Sequence, residues 1–272
     1  MHAQTTAIMH LKWMLLLQLP VMMWAEITTA PAAMAQTAGA KTAAEVRDFA
    51  TGAPAQPSRA WTLAAGGRIY DIWWKALGKD EPKGTHAAYP KTGKIKGPAT
   101  FRCKECHGWD YRGRDGVYKT GKHATGIVGI RKFVGADGAR IAKILRAAPH
   151  NYSAKMIDDA AMARLALFIT RGQHDARQWI DAKTRKSIGN KIRGRAVFQT
   201  TCAACHGFDG KLLNWGTDKE PEFVGTAAYK YPEEVLHKIR NGHPGAMMIN
   251  LRTMPMRAAA DVLAYAQTLP VK

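Results

Sequence analysis

The sequence contains few cysteines, and all of them lie in two short stretches. Among 272 residues there are four cysteines. They belong to two copies of one pattern, C-x-x-C-H, at residues 103–107 and 202–206. No cysteine is left over for a disulfide elsewhere, for a separate nucleophile or for a thiolate metal ligand outside these stretches.

The C-x-x-C-H pattern is the attachment signature of c-type haem. Each of its two thiols can form a thioether with a vinyl group of the porphyrin, and the adjacent imidazole then becomes an axial ligand of the iron. The sequence therefore predicts two covalently bound haem c groups. The predicted attachment residues are Cys103, Cys106, Cys202 and Cys205, and the predicted proximal iron ligands are His107 and His206.

Two other chemistries also use C-x-x-C pairs. A zinc site would bring both pairs into one small unit, usually with about 12–20 residues between them, whereas these pairs lie in different halves of the chain. A redox-active dithiol does not explain why a histidine follows the second cysteine in both copies. The repeated pattern therefore favours haem.

Long hydrophobic runs are also lacking. The apolar run at residues 13–24 is interrupted by Pro20 and is shorter than the roughly 20 residues of a transmembrane helix. It follows a lysine and is succeeded by small residues that end in an A-x-A-like site at residues 33–35. We therefore expect residues 1–35 to be a secretory signal peptide and the mature protein to be periplasmic.

Acidic residues are scarce relative to basic ones. The chain has 21 aspartate and glutamate residues against 40 lysine and arginine residues, which gives a formal charge of +19. Such a balance would suggest nucleic acid for a cytoplasmic protein, but an exported protein does not meet nucleic acid, so none is expected. The expected partners are acidic redox proteins, a membrane-bound respiratory complex or an anionic membrane surface, because charge attraction steers such encounters.

An internal repeat divides the chain into two halves. In each half a glycine stands four residues before an aromatic side chain, Gly66 before Tyr70 and Gly194 before Phe198. These positions lie one turn apart on a helix, and a glycine there lets another helix approach closely. Each half also ends in a predicted closing helix, at residues 158–169 and 258–267.

The repeat determines the predicted domain organisation. Residues 36–60 are rich in alanine, proline and glutamine and are expected to form a flexible leader. Residues 61–180 are assigned to the first haem domain and residues 181–272 to the second, with the boundary in the polar stretch 173–190. The predicted fold class is all-α, with two tandem haem domains joined by a polar linker.

Each half resembles a class I cytochrome c domain, and the whole resembles the periplasmic dihaem cytochromes c built from two such domains. The resemblance covers residues 61–272. It is carried by the two C-x-x-C-H motifs, by the helix pairs and by residues 66–70, 106–111 and 236–245. What the resemblance implies is electron transfer rather than any particular substrate.

The first half departs from the minimal pattern of these domains. Four positions separate Phe198 from Cys202, but thirty-three separate Tyr70 from Cys103. The additional segment at residues 75–104 is strongly basic, and so is the stretch at residues 171–195. Each contains eight lysine or arginine residues against two acidic residues. A docking surface for acidic partners and an ordinary solvated surface are both consistent with this composition.

The sixth iron ligands are predicted from spacing. In class I domains the resemblance implies a distal methionine at a characteristic distance before the aromatic residue of the closing helix. Met248 lies seventeen residues before Tyr265 and is the predicted distal ligand of haem 2. His150 lies eighteen residues before Phe168 and is the predicted distal ligand of haem 1, with Met156 as the alternative.

Other ligand candidates stay open. Met247 lies eighteen residues before the same aromatic residue as Met248. His123 is a more distant candidate for haem 1. His150 also has a counterpart in His243, which follows a similar Ile-Arg run and is not expected to bind iron.

The expected function is electron transfer in the periplasm by a basic dihaem c-type cytochrome, a carrier rather than an enzyme, with no catalytic residue assigned. One alternative is a dihaem oxidoreductase acting on a small inorganic substrate. A thiosulfate dehydrogenase-like enzyme would need a cysteine axial ligand, as the family comparison implies, and a peroxidase-like enzyme would need an open distal face. The other alternative is an electron-transfer subunit of a larger respiratory complex.

Overall fold

The structure, a computed structural model, describes residues 52–272. The signal peptide expected at residues 1–35 and most of the leader expected at residues 36–60 lie outside the described residues. Residues 52–58 are exposed and precede the first helix.

The described residues form helices and loops. Two isolated β-bridges occur, and residues 52–272 contain no β-strand, which confirms the predicted all-α class for this part of the chain. No helix within the same range combines the length and hydrophobicity that crossing a bilayer requires. The α-helices are α1 (Arg59–Ala76), α2 (Cys103–His107), α3 (Gly138–Arg146), α4 (Asp159–Leu167), α5 (Lys191–Val197), α6 (Ala203–His206), α7 (Val224–Lys230), α8 (Pro232–Asn241) and α9 (Met256–Ala266).

Polar side chains start several of these helices. The carboxylate of Asp158 accepts a hydrogen bond from the Ala161 amide at the beginning of α4. Equivalent caps are provided by Ser58, Asp137 and Asn190 at the beginnings of α1, α3 and α5. Each such cap stabilises its helix by about 1 kcal/mol, because it satisfies amides that have no partner within the helix.

A helix crossing that depends on glycine occurs in both halves. A methyl group at Gly66 of α1 would overlap the carbonyl oxygen of Arg164 and stand 2.6 Å from Cβ of Phe168. A methyl group at Gly194 of α5 would likewise overlap the carbonyl oxygen of Asp261 in α9. The expectation that glycine allows the closing helix to approach is therefore confirmed at both positions.

Two hydrophobic clusters form the interior. The first contains Tyr70, Tyr111 and Phe168, none of which is exposed to solvent, and the second is centred on Leu236 and Leu263. The chain leaves the first cluster after Ile169 and joins the second at Ala176 and Ile180. The last residues of the segment assigned to the first domain thus pack with the second cluster.

The two clusters meet where α8 packs against α1. Buried His237 of α8 donates from Nε2 to the carbonyl oxygen of Gly67 at 3.0 Å and accepts at Nδ1 from the Tyr111 hydroxyl at 2.8 Å. Nearby, the Arg68 guanidinium donates to the carbonyl oxygen of Asn241 at 3.0 Å. These hydrogen bonds join residues that are more than a hundred positions apart, so the halves are packed together rather than merely tethered.

Candidate functional site

The first C-x-x-C-H motif forms the short helix α2. Gly108 ends this helix with a φ of +79°, a conformation that glycine adopts without strain. The chain then turns, and the amide of Gly113 donates to the carbonyl oxygen of His107 at 2.8 Å. This turn keeps the histidine at the end of α2, next to both thiols of the motif.

Three of the four motif thiols are buried or half-buried, whereas that of Cys205 is exposed. Burial raises the pKa of Cys103 and of Cys106 to about 12 and the pKa of Cys202 to about 11. Redox-active C-x-x-C cysteines have a lowered pKa, because the thiolate is the reacting form. The raised pKa values of both thiols of the first motif argue against a dithiol of that type there. Within residues 52–272, no three histidine, cysteine, aspartate or glutamate side chains are arranged to hold a metal ion.

His107 has one ring nitrogen engaged and the other free to bind a metal. Its Nδ1 lies 2.8 Å from the carbonyl oxygen of Val128 and donates a hydrogen bond to it. The lone pair of the imidazole is therefore on Nε2, the usual arrangement of a metal-binding histidine. Burial lowers the pKa of His107 to about 4, so the ring is neutral at pH 7.

The ring of His150 lies close to the ring of His107. The centres of the two rings are 6.2 Å apart, and the ring planes are inclined by 33°. Two imidazoles on opposite sides of one metal ion have centres about 6 Å apart, since each metal–nitrogen bond is about 2 Å long. Nδ1 of His150 lies 3.2 Å from the carbonyl oxygen of Ile144, which leaves Nε2 of this ring free as well.

The other residues predicted as possible distal ligands in the first half have other surroundings. Met156 is half-buried and packs against the first hydrophobic cluster. His123 stacks on Tyr118, with ring centres 4.8 Å apart, and pairs through Nδ1 with the carboxylate of Glu105. Of the histidine and methionine candidates for this iron, His150 is the one whose ring lies beside the ring of His107.

The second motif repeats the local geometry of the first. Helix α6 ends at Gly207, which has a φ of +78°, and the amide of Leu212 donates to the carbonyl oxygen of His206 at 3.0 Å. The ring of His206 lies 5.7 Å from the ring of Trp215. Its Nδ1 is buried and has no hydrogen-bond partner, in contrast to Nδ1 of His107.

Exposed apolar side chains surround the second motif. Phe208, Leu212 and Trp215 follow the motif closely and are 74%, 67% and 48% exposed. Exposed apolar area of this kind is typical of a surface that binds something apolar. A porphyrin attached to Cys202 and Cys205 would cover such side chains, so the residues of this half fit a haem group.

Met248 lies in the loop between α8 and α9. This loop is held on α8 by the Arg240 guanidinium, which donates to the carbonyl oxygens of Leu251 and Met254 at 2.6 and 2.7 Å. Met248 is half-buried, whereas Met247 is 51% exposed. That Met248 is a distal iron ligand paired with His206 stays a prediction.

Two histidines that no sequence pattern marks as functional are prominent in the structure. His237 joins the two halves, whereas in the sequence it is only one position of the family-like stretch 236–245. His86 lies in the basic segment before the first motif and donates a hydrogen bond to the carbonyl oxygen of His150 at 2.9 Å. Its partner is 64 positions away, so no local pattern points to it.

Comparison with known proteins gives a family match within the second half. Residues 189–265 match the family described as cytochrome C oxidase, cbb3-type, subunit III. No curated protein matches the chain. The matched range contains the second motif and most of α9, and it is a cytochrome c domain, which implies covalently bound haem c and a function in electron transfer.

Proposed function

We propose that the protein is a periplasmic dihaem c-type cytochrome, built from two class I cytochrome c domains, that carries electrons between other redox proteins. The observation that carries this proposal is the repeat of the cytochrome c geometry in the first half. Both halves have a motif helix that ends at a glycine of positive φ, and both have a closing helix packed on a glycine. The half without a family match shares these two features with the half that has one, which supports a haem domain in each half.

Each half would hold its haem by its own set of residues. In the first half these are Cys103 and Cys106 with His107 and His150 as axial ligands, or Met156 in place of His150. In the second half they are Cys202, Cys205, His206 and Met248. Haem c would supply an iron that alternates between the ferric and ferrous states.

The side chains of the first half are suited to hold that iron with both axial positions filled. The carbonyl oxygens of Val128 and Ile144 fix the rings of His107 and His150 through their Nδ1 atoms. Each ring is therefore held in one tautomer and one orientation. Burial lowers the pKa of both histidines, which keeps them in the neutral form that binds metal.

A carrier is favoured over an enzyme for the same reason. Two axial ligands on the iron leave no position for a substrate, whereas a peroxidase-like site needs an open face. The thiosulfate dehydrogenase-like alternative lacks a residue, because all four cysteines belong to the two motifs.

The basic surface supports the proposal that the redox partners of this protein are acidic. Lys83, Lys91 and Lys94 in the segment before the first motif are exposed, and so are Lys183 and Lys186 in the basic stretch at residues 171–195. Their positive field would steer an acidic redox protein, or a subunit of a membrane-bound respiratory complex, towards the haem edges.

Mass spectrometry of the mature protein tests this proposal. After expression in a host that attaches haem c, we expect the mass of the chain from Gln36 onwards plus two haem groups. Replacing both Cys103 and Cys106 by alanine should remove one haem mass, and replacing Cys202 and Cys205 should remove the other. A single haem in the unmodified protein, or bound zinc in its place, would refute the proposal.

A further inference from the structure

The segment between α1 and α2, residues 77–102 and here called the insert, is fastened to the loop that carries His150. This loop, residues 147–157, is here called the distal loop. The Lys79 ammonium donates to the carbonyl oxygen of Lys155 at 2.7 Å. The Tyr152 hydroxyl donates to the carbonyl oxygen of Phe101 at 2.8 Å. The two ends of the insert are thus hydrogen-bonded to the distal loop at Lys155 and at Tyr152.

The middle of the insert holds a third point through His86. Its Nδ1 accepts a hydrogen bond from the amide of Ala88 at 3.1 Å, so the ring proton is on Nε2. Nε2 donates that proton to the carbonyl oxygen of His150 at 2.9 Å. Because both ring nitrogens are engaged, His86 is placed to orient a neighbour rather than to bind iron itself.

His86 is itself firmly held. Its ring packs against Phe101, with ring centres 4.8 Å apart, and against Tyr152 at 5.5 Å. Its backbone amide donates to the Thr100 hydroxyl at 2.8 Å, and this buried hydroxyl donates to the carbonyl oxygen of Gly97 at 2.6 Å. The residue is 9% exposed in all. A donor fixed in this way can define the position of the peptide that it binds.

His150 is consequently held from two sides. The insert binds its carbonyl oxygen, and α3 binds its ring through the carbonyl oxygen of Ile144. The next residue, Asn151, has a φ of +52°, so the chain turns sharply at this point. Together these contacts fix the His150 ring at 6.2 Å from the ring of His107.

We propose that His86 is a positioning residue that keeps His150, rather than Met156, on the axial side facing His107. This inference rests on the proposed function, because it takes His107 and His150 as ligands of one haem iron. The inference also gives the insert a specific role. The insert holds the distal loop in a position in which the imidazole of His150, and not the thioether of Met156, faces His107.

The test compares two substitutions at one position. In His86→Phe the aromatic packing is kept and the hydrogen-bond donor is lost. In His86→Gln a side-chain amide can still donate to the His150 carbonyl oxygen. The readouts are the EPR and optical spectra of the ferric two-haem protein, the two midpoint potentials and the affinity for cyanide, which competes with a weakly held axial ligand.

For His86→Phe we expect the cyanide affinity of haem 1 to rise about 10- to 100-fold, the range in which loss of an outer-shell partner weakens a metal ligand. We also expect the lower midpoint potential to shift upwards and the EPR signal of haem 1 to change. The His86→Gln variant should resemble the unmodified protein in all three, and haem 2 should be unaffected in both variants.

An unchanged haem 1 in a His86→Phe protein that carries both haems would overturn the inference. The variant His150→Ala separates this failure from failure of the proposed ligand pair. If His150→Ala alters haem 1 while His86→Phe does not, His150 is a ligand and His86 does not position it. If His150→Ala also leaves haem 1 unchanged, the ligand pair is wrong and the inference is overturned with it.

A measurement on the unmodified protein guards against variants that do not fold. Nitrogen-15 NMR of the histidine rings reports which nitrogen of His86 carries the proton. We expect protonated Nε2 and a hydrogen-bonded, unprotonated Nδ1. The opposite tautomer would remove the donor to His150 and would overturn the inference without any substitution.

Discussion

At the scale of single residues, the two histidines proposed as proximal ligands, His107 and His206, differ in their hydrogen bonding. Nδ1 of His107 donates to the carbonyl oxygen of Val128, whereas Nδ1 of His206 is buried without a partner. A hydrogen bond at Nδ1 makes an imidazole a stronger donor to a metal, and a stronger donor favours the ferric state. The predicted distal ligands would also favour the ferric state more strongly in the first half, since His150 provides an imidazole and Met248 a thioether.

We therefore predict two different midpoint potentials, with haem 2 the higher, because His/Met ligation raises the potential of haem iron. A redox titration should resolve two steps. Met248→Ala should lower the upper step and abolish any sulfur-to-iron charge-transfer band, while His150→Ala should perturb the lower step. Met247→Ala is the matched control and should change neither. If Met248→Ala leaves both the spectrum and the potentials unchanged, another methionine is the ligand.

His237 gives a prediction on pH dependence. Burial lowers the pKa of His237 to about 4, and the charges of Arg252 and Lys238 act in the same direction, while Asp71 opposes them. In the unfolded chain His237 binds a proton near pH 6.5, whereas in the folded protein it binds one only near pH 4. The free energy of unfolding should therefore fall as the pH decreases from about 6.5 towards 4.

The variant His237→Gln isolates this contribution. Glutamine can replace both hydrogen bonds of the ring but does not titrate. Between pH 7 and pH 5 the unmodified protein should lose about 2 kcal/mol more free energy of unfolding than the variant. Guanidinium denaturation followed by circular dichroism at both pH values measures the difference. Other buried histidines affect both proteins alike, so equal losses would contradict the pKa assigned to His237.

At the scale of secondary-structure elements, each half depends on the crossing of an opening helix with a closing helix. In the first half α1 crosses α4 at Gly66, and in the second half α5 crosses α9 at Gly194. A side chain at either glycine would overlap a backbone carbonyl oxygen of the partner helix. The backbone of a packed helix cannot move aside without separating the two helices.

We predict that Gly66→Ala and Gly194→Ala each lower the free energy of unfolding by at least about 1–3 kcal/mol, the usual cost of overpacking. The matched control is Gly138→Ala at the start of α3, where an added methyl group meets no atom within 4 Å. That variant should be neutral or up to about 1 kcal/mol more stable. Denaturant unfolding of the three variants measures these changes in the free energy of unfolding. If Gly66→Ala were as stable as Gly138→Ala, the proposed role of Gly66 in the helix crossing would be contradicted.

At the scale of the whole molecule, charge is the dominant property. The formal charge of +19 belongs to the full 272-residue sequence, and five of its lysines lie in the insert and three in residues 171–195. Charges on the surface of a protein act on a partner over roughly one Debye length, which is about 10 Å at 0.1 M salt. The encounter with an acidic redox partner should therefore depend on ionic strength.

We predict that the bimolecular rate of electron exchange with an acidic redox protein falls as salt is added. Two triple variants locate the responsible surface: Lys83, Lys91 and Lys94 to glutamate in the insert, and Lys183, Lys186 and Lys191 to glutamate in the other basic stretch. Both remove the same total charge, so a difference between them reports position. Stopped-flow rates measured across a salt series give the comparison. Rates independent of salt in the unmodified protein would make both stretches ordinary solvated surface.

Features that depend on adjacent residues or on a short sequence period can be predicted from the sequence alone. The two C-x-x-C-H motifs are contiguous, so Cys103, Cys106 and His107 could be identified without a structure. The glycine-to-aromatic spacing at Gly66 and Tyr70 predicted a helix crossing, since one helical turn brings these positions to one face. Spacing also proposed His150, although it left Met156 open.

Contacts between residues that are far apart in the sequence could be identified only from the tertiary structure. His86 reaches the carbonyl oxygen of His150 across 64 positions, and the Tyr111 hydroxyl reaches His237 across 126. Neither contact has a sequence period, because it depends on which loops the packing of the helices brings together. The same holds for His107 and His206: Nδ1 of His107 meets the carbonyl oxygen of Val128, whereas Nδ1 of His206 has no partner, because different loops fold over the two motifs.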